Sequence, residues 1–344
     1  MTENQFIVEL ETALKRLPAE EKDDILQDIR EYFTDGRQDG KSDNEIATSL
    51  GSPKKIAEEL LASYLLIEDK VEVPSTNELI TIQDNSFSNV EINVQHGALV
   101  VSPSNSSVTT VELVSTNDKL QLTAEVVGNT LFVRLKNLRH WLFMLNLNMK
   151  PVILHVAIPK KLYQSIALKT DNGRIAAEKL LGKKINVKTD NGRIQLKEFA
   201  ATTLVVETDN GRIEAEKIQA DHVRAKTDNG RINMRYIDAE SVGIETDNGR
   251  IELEHVTGSV VGVTDNGRIT LQTNHLDRNI DFRTDNGSIA IQSTAAPKNV
   301  TIHAKTNHGK IDIFGERNSR TMIGTGEHTI RLKSDNGRIS VTQS

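Results

Sequence analysis

The chain has 344 residues, a net charge of −6, 37% hydrophobic residues, 4% aromatic residues and no cysteine. This length allows two or three domains, or one domain beside a long array. The lack of cysteine excludes disulfides, a thiolate nucleophile and cysteine-based metal sites, and the lack of a long basic run argues against nucleic acid as a partner.

The charge is unevenly divided along the chain. Residues 1–70 hold 9 basic and 17 acidic side chains, whereas residues 71–344 hold 33 basic and 31 acidic side chains. Two segments that differ in net charge in this way predict two domains. The first ten residues lack the pattern of a secretory signal, and the most apolar stretch, residues 141–158, is too polar to span a bilayer. We therefore expect a cytoplasmic protein, with membrane association and leaderless surface exposure both left open.

Residues 1–70 are predicted to form four short amphipathic helices. Thr2 with Gln5 and Ser42 with Glu45 have the spacing of capping boxes, and Pro18 suits the first turn of a helix. Apolar residues recur at helical spacing in all four segments, so that together they can form one small core. A DNA-reading helix-turn-helix is disfavoured, because phosphate contacts need lysine and arginine and this segment is acidic.

This segment has a distinctive sequence, LPAEEKDDILQDIREYFTDGRQDGKSDNEIATSLGSPKKIAEEL. Over about residues 6–64 it resembles the bacterial HAAS-type signalling domain. The resemblance implies a docking or regulatory module of membrane-associated bacterial systems, which would bind a membrane or regulatory protein, and it implies no catalysis. The alternative is an acidic helical cap that only adds solubility.

Residues 71–76 read as a linker, and a strand-rich region of less regular pattern follows. Short alternating apolar runs between turn residues predict β-strands. We interpret residues 77–165 as an irregular β cap with the first coils of an array, because an open array end would expose unpaired backbone and apolar core. The segment Trp141–Leu145 is expected to be buried in that cap, with a membrane-surface or partner patch as the alternative.

The segment 166–344 is dominated by one repeated hexapeptide, Thr-Asp-Asn-Gly-Arg-Ile. Six identical copies start at Thr170 and then every 18 or 19 residues up to Thr264, a copy beginning with serine starts at Ser334, and looser copies start at Thr284 and Thr306. A fixed short period over half a chain is typical of a repeat architecture.

The pattern around the motif predicts a parallel β-solenoid of about 19-residue coils, so that the chain is mainly β with a small all-α N-terminal domain. Apolar residues alternate on both sides of the Asp-Asn-Gly break, and stacking equal positions would give an isoleucine column in the core and a ladder of asparagine amides. We expect the glycine to supply the positive φ of a tight turn.

Three irregularities carry predictions of their own. The segment before Thr264 is one residue short, which predicts a local irregularity because a deletion flips side-chain parity. The longer gaps after Thr284 and Thr306 are expected to be loops that bulge from a coil. Few residues follow the last copy of the repeat, Ser334–Val341, so little sequence is left to cap the array. End-to-end self-association is therefore possible.

The motif also stacks charge, as a row of aspartates beside a row of arginines. One interpretation is an Asp–Arg surface lattice with no ligand. Another is a ridge that binds an anionic envelope polymer or lipid headgroups through planar guanidinium groups. The ridge would consist of Arg174, Arg193, Arg212, Arg231, Arg250 and Arg268.

Other chemistry is disfavoured in this region. The motif lacks the glycine spacing of calcium-binding rolls, and its arginine opposes a cation. Identical aspartates provide no distinct acid and base for a polysaccharide-cleaving enzyme. The histidines lack metal-ligand spacing, and His96 and His308 are interpreted as replacements for the motif asparagine. We therefore expect no catalytic residues, no metal and no cofactor.

The run VAIPKKLYQSIALKTDNGRIAAEKLLGKKINVKTDNGRI resembles the bacterial putative-adhesin β-strand-repeat family. The similarity covers about Leu79 to the C-terminus and is strongest over Ile158–Ile289. It implies a non-enzymatic β-repeat protein with a regulatory role in cell-envelope stress, and an adhesin-like binder of envelope polymers is the alternative. The family name implies a fold more than an activity.

Overall fold

The computed structural model of the chain describes residues 1–15, 42–58, 76–115, 120–137 and 152–343, together with residues 17, 22, 25–26, 29–30, 33, 37 and 61. The described residues separate into a helical unit up to Thr76 and a β unit from Asn77. The predicted linker at 71–76 lies outside the described residues except for Thr76, which begins the first β-strand, and the prediction for Trp141–Leu145 lies outside them entirely. The domain boundaries at residues 70, 76 and 165 stay predictions.

Among the described residues of the helical unit, two helices have the predicted starts. Helix α1 spans Glu3–Ala13 and α2 spans Asp43–Leu50, and both capping boxes are present, with Thr2 and Ser42 as the N-caps. Residues 53–58 are also helical. The unit has its own core, in which the rings of Phe6 and Phe33 meet edge to face at 5.6 Å.

The β unit has 23 strands within its described residues, hydrogen-bonded into one continuous sheet. The N-terminal strands are β1 (Thr76–Ile82), β2 (Asn89–His96), β3 (Ala98–Pro103), β4 (Thr109–Ser115), β5 (Leu120–Val127), β6 (Thr130–Asn137) and β7 (Val152–Ile158). The regular strands are β8 (Tyr163–Asn172), β9 (Ile175–Glu178), β10 (Leu181–Asn191), β11 (Ile194–Thr208), β12 (Ile213–Thr227), β13 (Ile232–Thr246), β14 (Ile251–Val256), β15 (Ser259–Thr264), β16 (Ile269–Thr273), β17 (Ile280–Asn286) and β18 (Ile289–Ser293). The C-terminal strands are β19 (Val300–His308), β20 (Ile311–Ile313), β21 (Arg320–Ile323), β22 (His328–Asn336) and β23 (Ile339–Gln343).

The regular part is a parallel β-solenoid, as the sequence predicted. Ile194 of β11 pairs with Ile213 of β12, which pairs with Ile232 of β13, and each step is 19 residues. Alternate side chains face inward, so the motif isoleucines form a buried column, in which Ile311 is half-buried and the others are fully buried. Burial of a complete aliphatic column is the main stabilisation available to such a coil, at about 1.5 to 3 kcal/mol per side chain.

The coil that is one residue short keeps its side-chain parity. Ile237 pairs with Val256 across 19 residues, whereas Ser241 pairs with Ser259 across 18, so the missing residue falls at the corner around Gly258. The predicted irregularity is therefore present, but it lies at the corner before β15. Gly258 has a φ of 74° there.

A buried arginine supports that corner. The guanidinium of Arg278 donates to the carbonyl oxygens of Val256 and Gly258 and to the hydroxyl of Thr273. Its side chain is 6% exposed, and burial lowers the pKa of Arg278 to about 10. Carbonyl oxygens at a corner lack strand partners, so a buried donor of this reach satisfies groups that would otherwise be costly.

The N-terminal end of the solenoid departs from sequence order. Strand β2 lies between β6 and β8 and is parallel to both, and β3 lies in the same way between β7 and β9. The outer coil, β6 with β7, is covered by the antiparallel strands β5 and β4. The first coil in sequence is therefore the second coil in space.

The C-terminal end repeats this arrangement and corrects two of the predictions. Strand β22 lies between β17 and β19, so Ser334 pairs with both Thr284 and Thr306. Part of the long gap after Thr306 is not a loop, because residues 320–323 form β21, which pairs antiparallel with β19. The last repeat is interior, so the open end that suggested end-to-end self-association at Ser334–Val341 is absent from the described structure.

Candidate functional site

The asparagines of the motif form a continuous amide ladder along the solenoid. From Asn191 onward, each side-chain NH₂ group donates to the amide oxygen of the motif asparagine on the neighbouring coil, at 2.8–2.9 Å. His96 and His308 occupy the same column at its two ends, opposite Asn172 and Asn336. Their positions agree with the interpretation of both histidines as replacements for the motif asparagine.

The threonine and glycine of the motif are explained by close approach between coils. The hydroxyl of Thr227 donates to the carbonyl oxygen of Gly211 on the preceding coil at 3.0 Å, and equivalent bonds recur along the column. The motif glycines do not have a positive φ, so that prediction is wrong. A Cβ at Gly211 would instead overlap the carbonyl oxygen of Gly192, and this overlap is why only glycine fits.

A left-handed corner lies elsewhere, ten positions into each of the first five copies of the repeat. Five side-chain-bearing residues have φ between 52° and 60° there, namely Lys179, Glu198, Lys217, Tyr236 and His255. Tyr236 and His255 stack at 5.1 Å on neighbouring coils. The sequence analysis missed this corner, because its residues share a backbone conformation and no side-chain type.

The six arginines of the predicted ridge lie in one column and differ in exposure along it. The first four are half-buried, and Arg250 and Arg268 are exposed. Arg174 donates to Gln195 on the next coil, and Nε of Arg268 donates to Ser288 at 3.0 Å. The structure therefore brings the ridge together, with part of its donor capacity directed at neighbouring coils.

Glu214 is the acidic centre of the half-buried part of the ridge. Its carboxylate accepts hydrogen bonds from Arg193 and Gln195, and Arg212 lies 3.6 Å away. Burial alone would raise the pKa of Glu214, but the hydrogen bond and charge of Arg193 outweigh burial and hold that pKa below its usual value. The arginines thus find an acceptor just beyond the motif, a position that the sequence analysis did not single out.

The described residues contain no group of three or more histidine, aspartate or glutamate side chains placed to hold a metal ion. The motif aspartates occupy equivalent positions along the column, so nothing separates an acid from a base. In the described ranges, no helix has the length and apolar character needed to cross a bilayer.

These features define a class of protein: a parallel β-solenoid whose repeat residues hold its coils together, carried with a separate helical unit. The chain belongs to the Toastrack DUF4097 family, which it matches over residues 87–342. Its N-terminal part, residues 5–59, matches the HAAS family. Both resemblances seen in the sequence are therefore confirmed. A comparison with curated proteins gave no match.

Several solved structures are similar to the chain at low sequence identity. A "putative adhesin" from Parabacteroides distasonis is 13% identical with a TM-score of 0.49, over 77% of this chain and 97% of its own. A "putative adhesin" from Parabacteroides merdae is 12% identical with a TM-score of 0.46, over 77% and 96%. A "putative lipid binding protein" from P. distasonis is 13% identical with a TM-score of 0.45, over 77% and 96%.

Proposed function

We propose that the chain is a non-enzymatic docking protein with a regulatory role in bacterial cell-envelope stress signalling. In this proposal the helical unit binds a membrane-associated or regulatory protein. Binding of the helical unit would keep the attached β-solenoid beside that partner.

The separate core of the helical unit is the observation that carries this proposal. Phe6, Leu10 and Phe33 are buried in a hydrophobic cluster distinct from that of the solenoid. A unit with its own core can present an outer surface to a partner without disturbing the array. That surface is acidic, since residues 1–70 carry a net charge of −8, and this charge favours a partner with a basic face.

Capture of membrane proteins by the full chain and by a chain lacking residues 1–70 tests this proposal. We expect the intact chain to retain a protein partner from detergent-solubilised bacterial membranes and the shortened chain to lose it. The thermal transition of the β unit provides the control, because it must be present in both chains for the comparison to concern binding. Unchanged partners after the deletion would refute docking through the helical unit.

A second candidate function is binding of an anionic envelope polymer at the arginine ridge. Its support is the exposure of Arg250 and Arg268 at one end of the column. Planar guanidinium groups spaced by one coil, about 4.8 Å, could each contact a charged group of a repeating polymer. The ridge is the weaker candidate because Arg193 and Arg212 already lie beside Glu214.

A further inference from the structure

Two leucines protrude from the first regular coils of the solenoid. Leu162 is 61% exposed and Leu181 is 43% exposed. They line one surface hollow of about 560 Å³, and Leu181 also lines a second hollow of about 290 Å³. Single exposed apolar residues are ordinary on a protein surface, but two that share one hollow form a small apolar patch.

Lysines surround these leucines on both sides. Lys160 and Lys179 line the smaller hollow and Lys183 lines the larger one, and Lys184 follows directly in the chain. All four are exposed. Among the described residues, Lys179 has Glu178 at 3.7 Å, whereas Lys160, Lys183 and Lys184 form no ion pair. We call Leu162, Leu181 and these four lysines the Lys–Leu patch.

The patch is not a consequence of the repeat. The column that begins at Leu181 continues on the following coils as Ala200, Gln219 and Asp238. The column of Lys184 continues as Thr203, then His222. In these two columns, leucine and lysine therefore occur only on the first two regular coils, whereas the column of Lys179 continues as Glu198 and Lys217. The repeat scaffold tolerates small, polar and acidic residues at the same places.

The larger hollow is basic at the end near the Lys–Leu patch and acidic at its other end. Its far end is lined by Asp221, Asp238 and Glu240. Asp238 is three coils from Leu181, about 14 Å, and Asp221 is two coils from Lys183, about 10 Å, at one strand spacing per coil. Both distances exceed the Debye length of about 8 Å at physiological salt, so these carboxylates do not cancel the attraction of the lysines for an anionic surface. Glu198, which lines the smaller hollow, lies 3.8 Å from Lys217.

We propose that the Lys–Leu patch docks the solenoid onto an anionic phospholipid membrane, with Leu162 and Leu181 inserted among the headgroups. Protruding apolar side chains with lysines around them match both components of such a surface, its apolar interior and its negative charge. The anionic membrane would attract the lysines and repel the acidic end of the hollow. The solenoid would therefore be oriented with its first regular coils against the membrane. The residues of this surface are different from those of the arginine ridge.

Co-sedimentation of the full chain with lipid vesicles tests the proposal. The probes are vesicles of phosphatidylglycerol and phosphatidylcholine in equal parts, and vesicles of phosphatidylcholine alone. We expect binding to the anionic vesicles only. Lys160→Gln, Lys183→Gln and Lys184→Gln together should weaken it about a hundredfold, at about fivefold for each lysine. Leu162→Ser with Leu181→Ser should weaken it about tenfold, because inserted apolar groups are lost.

A control variant changes three exposed lysines and one exposed apolar residue at the other end of the β unit. Lys298→Gln, Lys305→Gln and Lys310→Gln with Met322→Ser alter exposed positions there, and they should leave vesicle binding unchanged. Equal loss in patch and control variants, or binding that ignores lipid charge, would overturn the proposal. An unchanged affinity after the leucine substitutions would also overturn it, since insertion is part of the claim.

The acidic helical unit of a second copy is the competing occupant of the patch. In that case the lysine substitutions would lower the mass measured by sedimentation velocity without vesicles, and vesicle binding would not change. That pair of results would also refute membrane docking.

Discussion

Gly211→Ala should destabilise the solenoid by about 3 kcal/mol or more, the range of severe overpacking. The added Cβ would overlap the carbonyl oxygen of Gly192 and approach the hydroxyl of Thr208, which donates to that same oxygen. Because the obstacle is backbone, no rotamer change relieves the overlap, and two coils must move apart. Urea unfolding of the intact chain, followed by far-UV circular dichroism, measures the loss.

Gly243→Ala is the matched control for this substitution. Gly243 lies within β13 and has an ordinary backbone conformation, with nothing within 4 Å of the place where a Cβ would stand. Alanine there should change stability by less than about 1 kcal/mol, and in the stabilising direction, because it reduces the freedom of the unfolded chain. Similar losses at both positions would show that the coils do not approach one another at the motif glycine.

Removal of residues 328–343 should unfold the C-terminal coils, although in sequence they are only the last repeat. The deleted strands β22 and β23 lie inside the array, and β19 reaches β17 only through β22. Four fully buried apolar side chains leave with them, namely Ile330, Leu332, Ile339 and Val341. At about 1.5 to 3 kcal/mol each, their burial is comparable to the whole stability of an ordinary domain.

The behaviour of this shortened chain distinguishes stacking in sequence order from the interleaved order, in which β22 lies between β17 and β19. In a solenoid stacked in sequence order, the preceding coil would become the new end and the rest would stay folded. Here we expect fast amide hydrogen exchange through β19 and β21 and a lower unfolding midpoint. Met322→Ala, at a 58% exposed position of β21, should have little effect. Retained protection of β19 in the shortened chain would contradict the interior position of β22.

The repeat made most of the fold predictable, because a fixed period aligns equal positions without knowledge of their contacts. The isoleucine column and the asparagine ladder follow from that alignment alone. The order of the end coils does not follow from it, because Ser334 matches Thr284 and Thr306 equally well as a neighbour. Only the pairing of β22 with both β17 and β19 decides between sequential and interleaved order.

The site was less predictable than the fold. The motif directs attention to its arginines, yet the acceptor beside Arg193 is Glu214 on the next coil. The Lys–Leu patch was hidden for the opposite reason. Its leucines and lysines lie at positions where the residue type differs from coil to coil. A search for repeated residues discards such positions. In a solenoid, departures from the repeat are therefore better guides to a binding surface than the repeat itself.

Partner capture with an arginine variant tests most directly whether the motif is scaffold and the helical unit is the docking surface. The variant carries Arg250→Gln and Arg268→Gln, at the exposed end of the ridge, and is compared with the intact chain and with the chain lacking residues 1–70. We predict that the arginine variant retains the membrane protein held by the intact chain and that the chain without residues 1–70 loses it. Loss of the partner in the arginine variant, with retention in the shortened chain, would contradict this account.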